Sequence, residues 1–280
     1  MARGTCAAVV DMQLGRRSSC CTKLKISTIT ALGRIGTHVN LRHLYEQLNV
    51  GHGGWISIKL AGETRGDTGV KRSTGGSFGN QATLVFRGSD GLSVNTKVFL
   101  NGGVQMTGLK TVAQGPKVLE MLAAMLRNVD GAVEQPEMIR ASDYSVCLIN
   151  SDFDIGFRVK RDKLVRCMAI HHPRVLCSYE PCIYPGVKIK FMWSERNRRS
   201  GVCGCTDQCI GKGDGRGEGM CRKVTVSVFQ SGKVIITGAH TEAQLQAAYA
   251  FIVEDVVERH GDEFELGDVV RHGASKVAVW

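Results

Sequence analysis

The sequence has little proline, few aromatic residues and no long apolar run. Only 5 of its 280 residues are proline, and Phe, Trp and Tyr together account for 6%. No window reaches the roughly 18 consecutive apolar residues of a membrane span, and residues 1–17 lack the apolar stretch of a signal peptide. We therefore expect neither a secreted protein nor a membrane protein.

Sequence signatures of the common enzyme classes are also missing. There is no Gly-x-Ser-x-Gly elbow, no phosphate-binding P-loop, no dinucleotide fingerprint and no His-Glu-x-x-His metal motif. With 43% hydrophobic residues the chain can still bury one or two ordinary cores. The sequence therefore predicts a globular protein that is not an enzyme.

Positive charge is abundant and unevenly placed. Lys and Arg number 36 against 26 Asp and Glu, a net charge of +10 that favours a polyanionic partner. Residues 1–25 carry five basic residues and one acidic residue, which predicts a disordered basic arm. Residues 254–268 carry seven acidic residues and one arginine, so we expect this end to avoid nucleic acid.

The 11 cysteines are too few for a disulfide scaffold, and we expect mostly free thiols. Four of them cluster in a Gly-rich stretch at residues 194–222, namely Cys203, Cys205, Cys209 and Cys221. Their thiolates could hold a tetrahedral structural zinc ion, or they could be free thiols on a mobile loop. We interpret His171 and His172 as a loop pair rather than as metal ligands.

An internal repeat organises the chain. Residues 97–114 align without gaps on residues 227–244, a spacing of 130, with half of the positions identical. Each copy has a strand, a short helix, several extended segments with a Gly-containing hairpin turn, and an amphipathic helix. We predict an α+β fold in which each copy forms a five-stranded antiparallel sheet with two helices.

Two motifs carry a family resemblance. Residues 178–187 read Ser-Tyr-Glu-Pro-Cys-Ile-Tyr-Pro-Gly-Val, and residues 228–239 follow with Val-Phe-Gln-Ser-Gly-Lys-Val-Ile-Ile-Thr-Gly-Ala. Together they resemble the second repeat of the TATA-box-binding protein family, and residues 99–108 supply the same Phe-x-x-Gly-x-x-x-x-Thr-Gly pattern. The resemblance covers about residues 23–262. It implies two pseudo-symmetric repeats forming a saddle that binds the minor groove and bends DNA.

The resemblance also implies which rings wedge between base steps. Phe99 and Phe229 match one wedge of each repeat, and Tyr184 matches the second wedge of the second repeat. In the first repeat this position is Phe78 if Trp55–Leu60 is the second strand, or Trp55 if it is the third. We prefer Phe78, because residues 82–87 and 94–101 then form a compact hairpin.

Strand periodicity groups further residues with these rings. Side chains alternate with period two, so Ile235 and Thr237 share a face with Phe229, and Gln105 and Thr107 with Phe99. The competing interpretation is that these are core residues facing the helices. The predicted DNA-facing set is completed by Ile26, Leu148 and Pro185.

Some positions depart from the family pattern. The Asn at the centre of each first strand is matched here by Leu24 and Val146, which removes polar contacts to bases and leaves the sequence preference open. Lys97, Ser227 and Gln105 make the DNA-facing surface more polar than is usual in the family.

The resemblance implies protein partners as well. Glu180 matches a carboxylate on the loop before the third strand that the family uses to engage transcription factor IIB, whereas the second acid of that loop is Cys182 here. We expect A·T-rich promoter DNA, a factor IIB-like protein and the RNA polymerase machinery as partners. No cofactor is required, and the expected location is the nucleus or a site of viral transcription.

The predicted organisation has four parts. Residues 1–22 form a disordered basic tail, 23–130 the first repeat with a loop insertion at 62–80, 141–262 the second repeat with a Cys- and Gly-rich insertion at 194–222, and 263–280 a C-terminal extension. The predicted function is that of a TATA-box-binding-protein-like initiation factor. The alternative is an interaction module that keeps the fold, does not bind DNA, and recruits or sequesters transcription factors.

Overall fold

The computed structural model describes residues 20–67, 79–205, 212–216 and 219–266. The chain divides into two compact units. The N-terminal unit comprises Lys25–Ser151 and Thr237–Leu245, and the C-terminal unit comprises Asp152–Ile236 with the described residues before Lys25 and after Leu245. The predicted α+β class is confirmed. Among the described residues, none of the helices has the length and apolar character that crossing a membrane requires.

The N-terminal unit contains an antiparallel sheet with the strand order β3-β2-β4-β5-β6-β1. Its elements are β1 (Lys25–Arg34), α1 (Leu41–Gln47), β2 (Trp55–Leu60), β3 (Glu63–Gly66), β4 (Gln81–Arg87), β5 (Ser93–Phe99), β6 (Gly103–Leu109) and α2 (Gln114–Arg127). Asn40 caps α1, because its Oδ1 accepts a hydrogen bond from His43 N at 3.0 Å. Helix α2 packs on β6 and β1.

The first Gly-rich insertion begins with a strand, so the prediction of a loop throughout residues 62–80 is wrong at its start. Ala61 (φ 48°) and Gly62 (φ 93°) both have positive φ and make a two-residue turn that pairs Glu63 with Leu60. The turn lets β3 add to the edge of β2. Residues 68–78 lie outside the described residues.

The second half of the chain begins with β7 (Ser142–Asp154), after a 3-10 turn at Pro136–Met138. Its further elements are α3 (Arg161–His171), β8 (Leu176–Ser178), β9 (Val187–Trp193), β10 (Arg222–Val228), β11 (Lys233–Ala239), α4 (Glu242–Ala250), a π-helical segment (Phe251–Val257) and α5 (Glu258–Phe264). Strands β8, β9, β10 and β11 are neighbours in that order. Helix α3 packs on β9 and on α5.

The internal repeat reappears in the backbone hydrogen bonds. Gly102 and Gly232 occupy the turns of the β5–β6 and β10–β11 hairpins with φ of 72° and 93°, and their carbonyls accept from Ile35 N at 2.9 Å and Ile155 N at 3.1 Å. We call each of these arrangements a hairpin latch. A Cβ atom on Gly232 would clash with the carbonyl oxygen of Phe157. Glycine is therefore required by both the positive φ and the close approach.

The long helices of the two copies also begin alike. Gln114 Oε1 accepts from Lys110 N at 2.7 Å, and Gln244 Oε1 accepts from His240 N at 2.8 Å. The two glutamines are 130 residues apart, which is the spacing of the sequence repeat. Each glutamine side chain therefore accepts from a backbone N–H four residues earlier, in the segment that leads into the helix.

The C-terminal unit also includes described residues outside the predicted second repeat, 141–262. Thr22 N donates to Asp154 O at 2.8 Å, and Tyr249 Oη donates to Thr22 O at 3.1 Å, so residues 20–22 pack on the C-terminal unit. Phe264 is fully buried, and its carbonyl accepts from Lys160 N at 2.7 Å. The unit therefore extends beyond the predicted boundary at residue 262. Residues 1–19 and 267–280 lie outside the described residues.

In each unit one sheet face is buried and the other is open. In β5, Val94, Thr96 and Val98 are buried, whereas the alternating side chains between them are not. The same alternation holds in β4, β6 and β11. Because the helices cover the buried face, the opposite face of the strands remains available for a ligand.

Replacing Gly232 with alanine tests the hairpin latch. We expect Gly232→Ala to lower the free energy of unfolding by about 2 kcal/mol or more, because it adds a backbone clash to an unfavourable positive φ. Gly51→Ala is the control, since Gly51 has φ of 95° but nothing within 4 Å of an added Cβ, and it should cost only about 1 kcal/mol. Urea unfolding of both variants measures the difference, and equal losses would contradict the role of the latch.

Candidate nucleic-acid interface

The open face of the N-terminal unit holds the predicted first-repeat residues. Phe99, Gln105 and Thr107 are half-buried and alternate with buried Val98, Val104 and Met106. Across the sheet, Gln105 lies between Lys97 and Leu32, and Thr107 lies between Asn95 and Thr30. The predicted residues therefore lie away from the helices, and the interpretation that they face the core is wrong.

A shallow depression of about 580 Å³ lies beside Phe99 on this unit. Leu32 and Leu100, two exposed apolar side chains, contribute to its lining together with Arg34 and Asp143. Apolar surface therefore borders both a ring and charged groups. This mixture suits a ligand with flat apolar parts and polar edges.

The open side of the C-terminal unit carries a pair of rings. The centroids of Tyr184 and Phe229 lie 5.8 Å apart with an angle of 58° between the planes, and Lys188 Nζ lies 4.3 Å from the Tyr184 centroid. Gly186 lies against both rings, because an added Cβ would be 2.9 Å from Tyr184 Cε1 and 3.2 Å from Phe229 Cε1. We call Tyr184 and Phe229 the ring pair.

Arg161, the first residue of α3, holds the loop that presents Tyr184. Its Nη1 donates to Pro185 O, its Nη2 donates to Gln230 Oε1 at 3.2 Å, and its guanidinium lies 5.0 Å from the Tyr179 ring centroid. Ile183 N and Tyr184 N both donate to Glu180 O at 2.9 Å. The loop at residues 179–186 is thus tied to the helix and to the ring pair.

The outer side of the same loop is open to solvent. The side chains of Glu180, Cys182 and Pro185 are exposed, and Ile183 is 77% exposed. A carboxylate therefore stands beside an apolar side chain that has no cover within the described part of the chain. An exposed apolar side chain beside a carboxylate favours a protein-binding site at this loop.

Basic side chains border the open faces. Strands β1, β4, β5 and β6, all of which the structure describes, contain Lys25, Arg34, Arg87 and Lys97 and no Asp or Glu. Strands β8 to β11 contain Lys188, Lys190, Arg222, Lys223 and Lys233, again without an acidic residue. Both groups of strands are therefore positively charged, which favours an anionic ligand.

Strand β7 differs from the others, since it carries Asp143, Asp152 and Asp154 and no basic residue. Leu148 and Asn150 are half-buried and alternate with buried side chains, so they lie on one side of the strand. Asn150 Oδ1 is buried and has no hydrogen-bond partner among the described residues. Sequence analysis missed Asn150, whose unsatisfied amide oxygen is the kind of buried polar atom that needs an explanation.

The remaining predicted residues have the following positions. On β11, Ile235 and Thr237 are half-buried on either side of buried Ile236. Ile26 is half-buried in β1, Val146 is half-buried in β7, and Leu24 lies directly before β1.

The two alternatives for the first-repeat wedge have different outcomes. Trp55 is 2% exposed and packs edge-on against Phe86 at 5.2 Å, so its ring belongs to the core and cannot act as a wedge. Strand β2 lies next to β4, which pairs with β5 in the hairpin that the sequence predicted. Phe78 lies outside the described residues and stays a prediction.

Three of the four clustered cysteines come together. Cys221 Sγ lies 3.5 Å from both Cys203 Sγ and Cys205 Sγ, whereas Cys209 lies outside the described residues. A tetrahedral zinc with Zn–S bonds of about 2.3 Å would separate its sulfurs by about 3.8 Å, close to these distances. Burial, followed by a hydrogen bond with Cys205, raises the pKa of the Cys221 thiol. The three cysteines therefore fit three corners of a zinc site.

A second group of metal-binding residue types was missed by sequence analysis. Cys167, His171, His260 and Glu263 place their ligand atoms within 4.8 Å of one another. The interpretation of His171 and His172 as a loop pair is wrong for His171, which is the last residue of α3, and His172 is the C-cap of that helix. Cys-x-x-x-His and His-x-x-Glu spacing on two predicted helices is the signal that could have found this group.

Comparisons with known proteins agree with these features. The family model described as transcription factor TFIID (or TATA-binding protein, TBP) matches residues 148–258. A curated relative, the "TATA-box-binding protein-like" protein of Acanthamoeba polyphaga mimivirus, is 26% identical over 273 residues, which cover 87% of this chain and 67% of the relative. The solved structure of Methanococcus jannaschii TBP gives a TM-score of 0.47 at 18% identity, covering 85% of this chain and 99% of that one.

The family model matches the second repeat of the chain. The matched segment contains the ring pair, the loop at residues 179–186 and the third to fifth strands of the second repeat. The family model and the curated relative support a divergent TBP-like protein, and the recognition made from the sequence motifs is confirmed.

Removing the guanidinium of Arg161 tests how the loop is held. We expect Arg161→Met to leave the helix intact but to speed amide hydrogen exchange of Tyr184 and Ile183 at least several-fold, because the loop loses its bonds to α3. Arg166→Met is the control, since Arg166 is exposed on the same helix. Hydrogen exchange read by mass spectrometry compares the two variants, and unchanged protection in Arg161→Met would contradict this role.

Proposed function

We propose that the protein is a transcription initiation factor that binds promoter DNA in the minor groove and bends it. One observation carries the proposal: the ring pair Tyr184–Phe229 lies beside lysines on strands that contain no acidic residue. The TBP-like class supports the same function, since proteins of this class are transcription factors rather than enzymes. No catalytic activity is part of the proposal.

The rings supply the force that bends DNA. A ring inserted between two base pairs unstacks them and opens the groove, and the lost stacking is offset by the larger protein surface that the bent duplex contacts. Tyr184 and Phe229 support each other in a tilted arrangement, so neither ring needs to be ordered on binding. Phe99 is the corresponding wedge of the N-terminal unit, with Phe78 as its proposed neighbour.

Polar groups beside the rings suit the floor of the minor groove. A·T pairs present only acceptors there, adenine N3 and thymine O2. The hydroxyls of Thr107 and Thr237 and the amide of Gln105 can donate to such acceptors, and Leu32 and Ile235 add apolar contact with sugars. Ile26, Leu148 and Pro185 extend the proposed contact surface.

The sequence preference is proposed to depend on groove shape as well as on these contacts. Leu24 and Val146 cannot donate to bases, so direct readout at the matching positions is lost. A·T-rich steps are easily deformed or have narrow minor grooves, and both properties favour them without direct contacts. Asn150 is the proposed polar contact contributed by β7, because its amide NH2 group can donate to base acceptors.

The exposed side of the loop at residues 179–186 is the proposed site for a protein partner. Glu180 offers a carboxylate and Ile183 an apolar side chain, which together suit a factor IIB-like protein with a basic, apolar surface. Such a partner would connect the bent DNA to the RNA polymerase machinery. The proposed location follows as the nucleus or a site of viral transcription.

A structural zinc ion in the Cys loop is a further part of the proposal. Cys203, Cys205, Cys209 and Cys221 would hold it, with Cys209 as the fourth ligand. Cys221 directly precedes β10, and Gly215 N donates to Cys221 O at 2.9 Å. A metal here would fix the insertion beside the end of the β9–β10 hairpin, and DNA binding itself requires no cofactor.

The alternative is an interaction module that does not bind DNA. It is favoured by the polar side chain of Lys97 on the open face and by the three aspartates of β7. Experiments on the ring pair and the basic strands separate the two functions, because only DNA binding requires these groups to act on DNA.

Substitution of the ring pair tests bending. We expect Tyr184→Ala and Phe229→Ala together to remove the kink at the base step that this pair occupies and so to reduce the bend of an A·T-rich duplex, because no ring of the C-terminal unit remains to unstack that step. Tyr184→Phe is the matched control and should bend DNA like the unaltered protein, since it keeps the ring. Energy transfer between fluorophores on the two duplex ends measures the bend. An unaltered protein that leaves A·T-rich and G·C-rich duplexes straight would favour the interaction module.

Charge removal tests the phosphate contacts. Lys188 and Lys190 alternate with buried side chains on β9, so they lie on the open side. We expect Lys188→Gln with Lys190→Gln to reduce the slope of log affinity against log salt by about 2, at roughly 0.9 per phosphate contact.

The matched control removes two exposed basic residues of α3, Lys163→Gln with Arg166→Gln, and should leave the slope unchanged. Gel-shift titrations at several salt concentrations measure both variants. If the two pairs changed the slope equally, the contact with DNA would not be specific to the sheet.

A further inference from the structure

The Cys167 cluster is a compact set of four side chains on two packed helices. Cys167 and His171 lie one turn apart near the end of α3, and His260 and Glu263 lie one turn apart on α5. Glu263 Oε1 lies 2.8 Å from His171 Nε2 and 3.2 Å from His260 Nδ1. All four ligand atoms lie within 4.8 Å of one another.

From this geometry we propose that Cys167, His171, His260 and Glu263 bind a zinc ion that fastens α5 to α3. One sulfur, two imidazole nitrogens and one carboxylate oxygen are the donors that zinc takes in proteins, usually four of them in a tetrahedron. Bonds of about 2.0–2.3 Å would put neighbouring ligand atoms about 3.3–3.8 Å apart. The atoms are already near these separations, so rotation of side chains can complete the site.

The elements that carry the ligands are fixed independently of a metal. Helix α5 is anchored by Phe264, which is fully buried and packs against Phe157 at 5.9 Å. Cys167 is 1% exposed. Leu164 and Met168 are buried to a similar degree and hold α3 in the core. The ligands therefore project from two rigid helices rather than from a mobile loop, as a specific site requires.

The cluster is hard to explain as a simple hydrogen-bonded group. Both histidine rings turn toward one carboxylate oxygen, and the rings stack at 3.7 Å with only 14° between their planes. Glu263 also interacts with the Cys167 thiol. Three groups thus contact one carboxylate, whereas a zinc ion would accept a lone pair from each of the four side chains.

Neighbouring groups close the site on one side. The His172 ring lies 6.1 Å from His260 and packs edge-on against Phe251 at 5.1 Å, and its Nε2 lies 3.4 Å from Asp255 O. His172 therefore has its own partners and serves as a wall rather than as a ligand. Outer contacts of this kind orient metal ligands and limit access of water.

The proposed site is separate from the DNA-binding surface. Its residues lie on α3 and α5, and α3 packs on β9 from the helix side. It also shares no residue with the Cys loop. The inference therefore does not depend on the proposed function, and a protein that failed to bind DNA could still bind this zinc ion.

Metal analysis of the full-length chain tests the proposal. The background variant replaces Cys203, Cys205, Cys209 and Cys221 with serine, so that the Cys loop cannot bind metal. After removal of metal with a chelator and dialysis against zinc, we expect one zinc ion per chain in this background. Zinc should also raise its melting temperature. His260→Ala and Cys167→Ser in the same background should lose both the zinc and the thermal shift.

His52→Ala is the matched control, because His52 is exposed and lies outside the cluster. Glu263→Gln keeps the shape of the side chain, and it should weaken zinc binding by more than about tenfold without unfolding the protein. Circular dichroism verifies the fold of each variant. Cobalt titration gives a second readout, since the thiolate-to-metal absorption band should disappear with Cys167→Ser.

Two results would overturn the proposal. One is a background variant that folds but retains no zinc and shows no thermal shift. The other is zinc binding that Glu263→Gln and His260→Ala leave unchanged, which would place the metal elsewhere. In either case the four side chains would form a hydrogen-bonded cluster only.

Discussion

Alternation of side chains along the strands is the constraint on which the rest of the structure depends. Every second residue of β5 enters the core, so Lys97 and Phe99 must leave it on the other side. Helices cover only the buried face, as the packing of α2 on β6 and β1 shows. A one-residue slip in register would therefore bury the lysine and expose the core. The same constraint separates the residues that stabilise each unit from those available to a ligand.

The hairpin latches explain how two copies of one unit tolerate different insertions. In both copies a turn glycine accepts a hydrogen bond from the end of the first strand, at Ile35 and at Ile155. The insertions lie elsewhere: β3 extends the edge beyond β2, and the Cys loop joins β9 to β10. Because neither insertion interrupts a latch, each unit keeps its strand order while its periphery changes.

Local motifs explain which features could be predicted from the sequence. Tyr184 and Phe229 lie in two contiguous motifs, and the hairpin turns and amphipathic helices depend on neighbouring residues, so each could be recognised without a structure. Trp55 could not be assigned, since its burial depends on packing against Phe86. Strand β3 could not be predicted from its composition, because it forms a strand through its pairing with β2. In the Cys167 cluster the Cys-x-x-x-His and His-x-x-Glu spacings are local, but no local pattern shows that these two pairs, 93 positions apart at Cys167 and His260, meet in the fold.

Charge is divided between the strands and the final helical segment. Strands β8 to β11 contain no acidic residue, whereas β7 carries three aspartates, and the π-helical segment and α5 carry Glu254, Asp255, Glu258, Asp262 and Glu263. Several of these acids have partners on their own side: Glu254 pairs with Arg199, and Glu263 contacts two histidines. This part of the negative charge therefore lies on the final helical segment. An anionic ligand that approaches the strands meets the lysines first. The acidic helical segment repels an anionic ligand that approaches from the helix side.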